Sequence, residues 1–206
     1  MALIKGTNCG FLTSAPAAEP SGDSFGPADG KAWAMLDSLP AGNWKVTQLG
    51  WFSEGGYAVN YDLGIYTDAG ASEPEAVISK SGSSGTSSWG WKTVSVDIDL
   101  TGSTNYWLAF QIDNTGNIYI RSENTGSSSA QLDSQSSLPS NWGTSSYKAS
   151  HLLGVYALIE EVSAPAVQIN IVDTWKDIEG VQINIGDTWK EVAAIKQNIG
   201  DSWKAV

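Results

Sequence analysis

The sequence predicts an all-β protein, a jelly-roll-like antiparallel β-sandwich followed by a short repeat β-meander. Gly, Ser, Thr, Asn and Trp are abundant and strong helical periodicity is absent, which is typical of a β-sandwich with long polar loops. Several short runs alternate apolar and polar residues, as half-buried strands do. The C-terminal part repeats at a spacing of 14 residues, which indicates duplication of one small structural unit.

The chain divides into three segments by composition. Residues 1–30 are rich in Gly, Ala, Pro, Ser and Asp and predict an extended N-terminal arm with one strand near Leu3–Ile4; a partly ordered tail is the alternative. Residues 31–163 hold the sandwich domain, and residues 164–206 hold the repeat meander. Strands of the sandwich domain are predicted at Lys31–Leu36, Lys45–Phe52, Tyr61–Thr67, Ala76–Ser79, Trp91–Leu100, Asn105–Asp113, Ile118–Arg121 and His151–Val162.

Two of these strands have the clearest patterns. Trp91–Leu100 alternates, and the residues predicted to face the core are Val94, Val96, Ile98 and Leu100. Asn105–Asp113 is apolar on both faces, which predicts a central strand. Between the strands, Ser79–Ser88 and Ser122–Ser150 are polar and predict loops, the second long enough to indicate function or mobility.

The repeat segment divides further into short runs separated by residue pairs. The runs are 167–171, 174–178, 181–185, 188–192, 195–199 and 202–206. Two-residue connections between β-prone runs are typical of hairpins, and Gly-Asp suits a turn that needs a positive φ at its first position. We therefore predict an antiparallel meander of six strands. Val172 fits its turn poorly, because a β-branched residue resists a positive φ.

The turn positions determine which repeat residues share a face. One face is aliphatic, and the other carries three Trp residues that either form a sugar platform or pack against another subunit. About 40 residues in one meander cannot cover an aliphatic face themselves, so the preceding domain or another subunit covers it, and a homotrimer is the expected solution. The residues expected to drive self-association are Val167, Ile169, Ile171, Ile178, Val181, Ile183, Ile185, Val192, Ile195 and Ile199, with Trp175, Trp189 and Trp203.

Charge and composition restrict the partners and the compartment. The formal net charge is −11, only 16% of residues are charged, and Arg121 is the single arginine. This balance argues against nucleic-acid binding, which needs a basic surface, and against anionic membranes. Cys9 is the only cysteine, so an intramolecular disulfide is excluded. We expect no signal peptide and no membrane insertion. A Trp-rich, Ser/Gly-rich β protein without a secretion signal is an unusual combination, and a virion assembled in the cytoplasm of a host cell and released by lysis would explain it.

The sequence offers no catalytic constellation. Its one histidine, His151, starts an apolar run, and no G-x-S-x-G motif is present. Asp97 and Asp99 share a strand face, but paired carboxylates serve glycoside hydrolysis only across a cleft. We therefore expect a protein that is not an enzyme.

Calcium is the one metal for which the sequence offers oxygen ligands. Asp113, Asn114 and Asn117 surround a glycine, and Asp97 and Asp99 form a second acidic pair. Ordinary turn chemistry explains the same residues, and no EF-hand spacing is present. The expectation is no cofactor and no metal site.

Aromatic residues favour glycan binding. Ten Trp and seven Tyr are many for this length, and these side chains offer a flat apolar face with a hydrogen-bonding edge, which suits a sugar ring. We expect Trp51 and Trp107 in the core. The glycan-binding candidates are Trp89, Trp142, Tyr147, Trp44 and Tyr57.

Several stretches resemble a β-sandwich domain of bacteriophage virion proteins. They are ALIKGTNCGF, VTQLGWF, LGIYTD, GWKTVSVDIDLTGSTNYWLAFQID and LLGVYALIEE. The GDTWKEV-type repeats are similar to repeats near the ends of phage tail and fibre proteins. Gln48 stands where the sandwich pattern often has an acidic residue, so no role of that carboxylate is carried over. The resemblance implies an assembly or attachment protein and supplies no catalytic residues.

These observations together predict a non-enzymatic bacteriophage protein, a tail-fibre, head-fibre or decoration component. It would self-associate through its repeats, contact other virion proteins and adhere to host cell-surface glycans. One alternative is a stand-alone carbohydrate-binding module of a degradative system. The other is a cellular surface or filament protein whose repeats polymerise.

Overall fold

The computed structural model describes most of the chain before the repeats and six short runs within them. The described residues are 2–21, 23–27, 30–54, 59–85, 89–113, 119–162, 167–170, 175–178, 182–185, 188–191, 196–199 and 202–205. They form two compact units, Met1–Glu161 and Val162–Val206, and each is described by itself. None of the described residues belongs to a helix of the length and hydrophobicity needed to cross a membrane.

The regular elements of the described residues are all strands, so the predicted all-β class is confirmed. The first unit contains β1 (Gly10–Leu12), β2 (Asp23–Pro27), β3 (Lys31–Ser38), β4 (Asn43–Ser53), β5 (Val59–Asp68), β6 (Pro74–Gly85), β7 (Gly90–Thr101), β8 (Asn105–Asp113), β9 (Tyr119–Leu132), β10 (Tyr147–Leu153) and β11 (Val155–Glu161).

These strands form one open mixed sheet. Its main path runs β1-β11-β4-β9-β3-β8-β5-β6, while β2 and β10 pair with β9 and β7 pairs with β4. The expectation of a purely antiparallel arrangement is corrected at one edge, because β1 runs parallel to β11. The jelly-roll connectivity stays a prediction.

The N-terminal residues differ from the expected strand at Leu3–Ile4, which the structure does not contain. The Asn8 side chain accepts a hydrogen bond from the Ile4 N–H (2.7 Å) and donates one to the Ala2 carbonyl (2.9 Å). The Asn8 side chain thus occupies the Ile4 N–H and the Ala2 carbonyl, which in a strand would hydrogen-bond to a neighbouring strand. The strands of this segment are instead β1 and β2, which join β11 and β9.

Strand β8 is central, as its sequence predicts. It lies between β3 and β5, and every residue from Tyr106 to Ile112 is buried. Alternate residues enter two different cores, because successive side chains point to opposite faces of a strand. Phe110 belongs to the first core and Trp107 to the second.

The first core connects strands that are not neighbours in the sheet. Trp51 of β4 stacks on Phe110 of β8, with ring centroids 5.8 Å apart and planes within 7°, and meets Tyr61 of β5 edge-on at 5.9 Å. The sheet therefore curls until β4 faces β5 and β8. Strand β7 contributes Ile98 and Leu100, both buried, on the face that its alternation predicts.

The second core is built on small side chains. Ala32, Ala34, Ala109 and Ala130 are completely or almost completely buried and come from the adjacent strands β3, β8 and β9. Leu138 and Trp142 pack in the same cluster. Both belong to the connection 133–146, so this irregular segment covers the second face of the sheet.

Hydrogen bonds from β5 and β6 fasten the 133–146 segment. The Leu138 N–H donates to the Asp62 carboxylate (2.9 Å), and the Tyr66 hydroxyl donates to the Pro139 carbonyl (2.6 Å). The Trp142 N–H donates to the Glu75 carbonyl (2.8 Å). A buried loop needs partners for its backbone groups, and these contacts supply several of them.

The largest differences from the predicted strand boundaries lie in two polar stretches and in the last predicted strand. Strand β6 extends through most of the polar run Ser79–Ser88, and β9 and β10 occupy much of Ser122–Ser150. Small polar side chains do not prevent strand pairing, because the ladder bonds come from the backbone. The strand predicted at His151–Val162 is divided at Gly154 into β10 and β11.

The described residues of the second unit pair as three two-stranded hairpins. Their strands are β12 (Val167–Asn170), β13 (Trp175–Ile178), β14 (Gln182–Ile185), β15 (Thr188–Glu191), β16 (Lys196–Ile199) and β17 (Ser202–Ala205). Asn170 pairs with Trp175, Asn184 with Trp189 and Asn198 with Trp203, which is the register that the predicted two-residue turns require. The described strands pair as three two-stranded sheets rather than as one continuous meander. Of the residues expected to drive self-association, Ile171, Val181, Val192 and Ile195 lie outside the described residues.

A carboxylate–lysine contact at the end of the 133–146 segment generates a stability prediction. Glu73 contacts the Lys148 ammonium at 2.7 Å and accepts hydrogen bonds from the Ser145 hydroxyl and N–H. Burial alone would raise the pKa of the Glu73 carboxyl, but the hydrogen bonds from Lys148 and Ser145 outweigh it and lower the pKa below its ordinary value. Replacing Glu73 by Gln should lower the free energy of unfolding by about 1 kcal/mol at neutral pH.

Urea unfolding at several pH values checks this expectation. Because the pKa of Glu73 is lower in the folded state, its contribution is fully present above about pH 4.3, the ordinary glutamate value, and is lost as the pH falls through the folded pKa. The difference between wild type and Glu73→Gln should therefore shrink below that pH. Glu75→Gln, the same change at an exposed neighbour, is the control. A difference that stays constant down to pH 3 would contradict this role of Glu73.

Candidate functional site

The five glycan-binding candidates lie in different surroundings. Trp89 is 49% exposed and Tyr147 is 46% exposed. Trp44 is partly buried against the first core, and its indole N–H donates to the Pro40 carbonyl (3.0 Å). Tyr57 lies outside the described residues.

Trp142 is a core residue, which corrects its expected exposure. It is only 3% exposed, its ring meets Tyr66 edge-on at 5.2 Å, and its indole N–H donates to the Ser145 hydroxyl (3.0 Å). The alanine side chains on this face of the sheet are small and leave the space that the Trp142 ring fills. Trp142 therefore offers no open ring face to a ligand.

The exposed candidates do not share one surface. Trp44 lies at the start of β4 and Phe52, which contacts Trp89, lies near its end. Trp44 and Phe52 are eight positions apart along the strand, or about 26 Å. Tyr147 pairs with Gln131 near the end of β9, ten residues beyond Arg121, which contacts Trp89.

Trp89 is the one candidate at which other functional groups converge, and we call its surroundings the Trp89 platform, made of Trp89, Phe52, Arg121, Glu54 and Glu19.

Aromatic rings support the Trp89 side chain from the protein side. The Trp89 ring meets the buried Phe52 ring at 5.6 Å and 89°. Phe52 also contacts Trp91 at 5.3 Å, and Trp91 contacts Tyr156 at 5.0 Å. These edge-to-face pairs are the favourable geometry for aromatic rings, so Trp89 ends a row of four rings on the outer face of the sheet. About half of its surface remains in solvent.

Arg121 lies against the same indole. Its guanidinium carbon is 5.5 Å from the centre of the Trp89 ring, within the range of a cation–π contact. Its Nε is 3.0 Å from Glu54 Oε1, and the two side chains are only 17% and 14% exposed. The cation is thus held both by a carboxylate and by the ring. Both contacts restrict the orientation of Trp89.

Glu19 fixes the polar edge of the platform. Its Oε2 accepts a hydrogen bond from the Trp89 indole N–H at 2.5 Å. Glu19 belongs to the N-terminal segment, seventy residues before Trp89 in the chain, and its side chain is exposed. The ring is therefore oriented by groups from the N-terminal segment, the end of β4 and β9.

Two glycines permit this arrangement. Gly154 forms backbone hydrogen bonds with two strands. Its N–H donates to the Arg121 carbonyl of β9, and its carbonyl accepts from the Phe52 N–H of β4. A Cβ at Gly154 would lie 3.2 Å from the Arg121 Cβ and 3.3 Å from the Phe52 Cβ, so glycine lets these two residues lie side by side. Gly90 follows Trp89 with a φ of 121°, a conformation that other residues rarely adopt.

Tyr119 extends the exposed aromatic surface. It is 41% exposed, and Ile120 between it and Arg121 is buried in the first core. Residues two apart share a strand face, so Tyr119 and Arg121 lie on the same outer face of β9. Their spacing along the strand is about 7 Å. Tyr119 is thus a second aromatic residue beside the platform.

The other candidate chemistry finds weaker support. Asp97 and Asp99, considered as calcium ligands, both contact the Lys45 ammonium, Asp99 at 3.4 Å. Asn114 and Asn117 lie outside the described residues. Within the part of the chain that the structure describes, no three His, Cys, Asp or Glu side chains are grouped so that they could hold a metal ion.

The sequence indicates Trp89 as a candidate but does not indicate the polar residues around it. Arg121, Glu54 and Glu19 come from distant parts of the chain, and no short motif connects them. One signal was present, since Arg121 is the single arginine in the sequence and arginine is the residue that most often stacks on aromatic rings.

Comparison with protein-family models finds no match, and comparisons with curated proteins and with solved structures find none either. The functional interpretation therefore rests on the residues and contacts of this chain and on the resemblance of its sequence motifs described above.

The contrast between Trp142 and Tyr147 generates a second prediction. Trp142→Ala removes a buried ring and should lower the free energy of unfolding by about 3–5 kcal/mol. Tyr147→Ala removes an exposed ring and should change it by no more than about 0.5 kcal/mol. Denaturant unfolding of both variants checks the assignment. Equal effects of the two substitutions would contradict the placement of Trp142 in the core.

Proposed function

We propose that this protein is a non-enzymatic attachment protein of a bacteriophage virion, which binds cell-surface glycans at the Trp89 platform and self-associates through its C-terminal repeats. The observation that carries the glycan-binding part is the half-exposed Trp89 ring, held in one orientation by Phe52, Arg121 and Glu19. The virion part is supported by the resemblance of the sandwich segments and repeats to phage proteins.

A fixed indole suits the weakly polar face of a sugar ring. The C–H groups of a hexose pack on a flat aromatic surface, while the hydroxyl groups around the ring need hydrogen-bond partners. Glu19 accepts hydrogen bonds at the edge of Trp89, and Tyr119 carries a hydroxyl group on the adjacent surface. Because the ring is already oriented before binding, little side-chain entropy is lost on association.

The repeats supply the assembly element of this proposal. A two-stranded hairpin is marginally stable alone in water. The first strands of the first two hairpins have aliphatic residues at every second position, and the first strand of the third has Ile199. Association of several copies covers such residues. It also multiplies the glycan sites, which strengthens binding to a cell surface without any new contact.

Substitution of Trp89 tests the glycan-binding part. Trp89→Ala should weaken binding to a glycan-coated surface by about tenfold or more, because it removes the central aromatic contact. A glycan array probed with the full-length protein, followed by calorimetry on the strongest glycan, measures the change. Tyr147→Ala, which removes a similarly exposed ring outside the platform, is the control and should bind like wild type.

Two results would count against this site. Equal binding by wild type and Trp89→Ala would place the glycan site elsewhere. Absence of any binding on an array that covers bacterial surface saccharides would remove the glycan-binding function.

Light scattering tests the assembly part. The full-length chain should show a mass of about three times one chain, while a 1–163 truncation should show the mass of a monomer. In the full-length protein, Ile183→Glu should reduce association, because it places a charge on the predicted aliphatic face. Gln182→Glu introduces the same charge at the adjacent position on the other face and is the control. If the full-length protein and the truncation are both monomers, self-association through the repeats is wrong.

The same experiments separate the proposed attachment protein from a stand-alone carbohydrate-binding module. A monomeric full-length protein that keeps Trp89-dependent glycan binding would favour the module. Trp89-dependent binding that becomes stronger with assembly supports the attachment protein.

A further inference from the structure

The Trp89 platform continues towards a second exposed aromatic ring, that of Tyr119. We infer that the ligand is an oligosaccharide, in which one sugar unit packs on Trp89 and another unit of the same chain packs on Tyr119. This inference rests on the proposed glycan-binding function. It names the class of ligand, which is a chain of sugars rather than a single sugar.

Strand β4 lies between β7 and β9 at Ser53. This residue pairs with Gly90 of β7 and with Ile120 of β9. A strand has one neighbour on each side, so the two partners lie on opposite sides of Ser53. The three residues form one row across the sheet, and Ile120 and Ser53 are buried on its inner face.

The next row of the same strands brings two aromatic residues close together. Both pairings of Ser53 are antiparallel, so the residue that follows it is placed beside the residues that precede its two partners. These three residues are Trp89, Glu54 and Tyr119, with Glu54 in the middle. Two strand spacings separate Trp89 from Tyr119, which is about 10 Å between their Cα atoms. This distance exceeds the width of one sugar ring, so a single sugar packs on only one of the two side chains.

Side-chain contacts agree with this row. Arg121 lies two positions after Tyr119 on the same face of β9. Its guanidinium carbon is 5.5 Å from the centre of the Trp89 ring, and its Nε is 3.0 Å from Glu54 Oε1. The side chains of Arg121 and Glu54 are 17% and 14% exposed, whereas Trp89 and Tyr119 are 49% and 41% exposed. A ligand that crosses this face therefore contacts the two rings before it reaches the ion pair.

Two exposed rings on one face suit a chain of sugars. Each ring offers an apolar surface to the C–H face of one sugar unit. Once the first unit is bound, the linkage keeps the second unit near the other ring, so the second contact forms within the complex and adds affinity. Tyr119 is also held in place by the pairing of β9 with β2, in which it lies opposite Pro27. A single sugar gains only one of these contacts.

A series of chain lengths tests the inference on the full-length protein. Oligomers of β-linked glucose, galactose and mannose, and of the best-binding array glycan, are titrated by calorimetry from the single sugar to the hexasaccharide. The shortest chain that reaches both rings should bind about three- to tenfold more tightly than the single sugar. Longer chains should add little to this step. Equal affinities of the single sugar and of every longer chain would overturn the inference and leave glycan binding at Trp89 standing.

Substitution of Tyr119 assigns the step to a residue. A longer chain also offers more positions to one ring, and this statistical gain persists without Tyr119. Tyr119→Ala should therefore lose the three- to tenfold step and keep the affinity for the single sugar, while Tyr119→Phe, which retains the ring, should keep both. Tyr147→Ala removes a similarly exposed ring outside the platform and is the control. Because Tyr119 is exposed, its replacement should change the free energy of unfolding little, which denaturant unfolding verifies.

The outcomes separate this inference from the proposed function. A step that survives in Tyr119→Ala, or that is lost in Tyr119→Phe as well, would contradict packing of a sugar on the Tyr119 ring. Binding at Trp89 would stand in both cases. Absence of binding at every chain length and on the whole array would remove the proposed function, and the inference with it.

Discussion

The stacking of Trp51 on Phe110 holds together strands that share no backbone hydrogen bonds. Strands β4 and β8 are separated in the strand order of the sheet, yet their rings lie almost parallel at 5.8 Å. Adjacent residues of a strand point to opposite faces, so an inward Trp51 requires an outward Phe52. The aromatic support of Trp89 therefore depends on the inner stack, and a slip of one residue in β4 would exchange the two faces.

On the outer face of the sheet, three contacts restrict the orientation of the exposed Trp89 side chain. Trp89 is attached to the sheet through the Phe52 ring, through Arg121 on β9 and through Glu19 in the N-terminal segment. The Phe52 ring lies perpendicular to the indole, the Arg121 guanidinium lies over the indole ring and the Glu19 carboxylate accepts from the indole nitrogen. A side chain held in this way loses little conformational freedom if a ligand packs on it, which is the physical content of pre-organisation.

The sequence predicted the parts of the fold that depend on apolar periodicity. Strand β8, apolar on both faces, is central because burial on both sides requires neighbours on both sides. The hairpin register of the repeats follows from turn positions that are visible in the sequence. In both cases local pattern and tertiary requirement agree.

The other features of the fold and of the Trp89 platform depend on contacts between different parts of the chain, which local sequence patterns do not indicate. The second half of β6 and much of β9 are strands although they are rich in Ser and Gly, because partner strands supply their hydrogen bonds. Trp142 is flanked by Pro, Ser and Gly residues that suggest a surface loop, and its burial is decided by the alanine face beneath it. The Trp89 platform combines residues from distant parts of the chain, so only its exposed aromatic member could be predicted.

The alanine face has a consequence for how this protein tolerates change. A segment without regular structure covers the sheet closely because each residue beneath it projects only a methyl group. A single larger side chain at Ala34 or Ala109 would displace the 133–146 segment and disrupt several of its contacts with the sheet, because protein interiors are close-packed and transmit such strain. The exposed positions of the same segment carry no such restriction. Residues on the outer side of the 133–146 connection can therefore change in sequence. How closely this connection packs on the sheet depends on four alanines that lie outside it in the sequence.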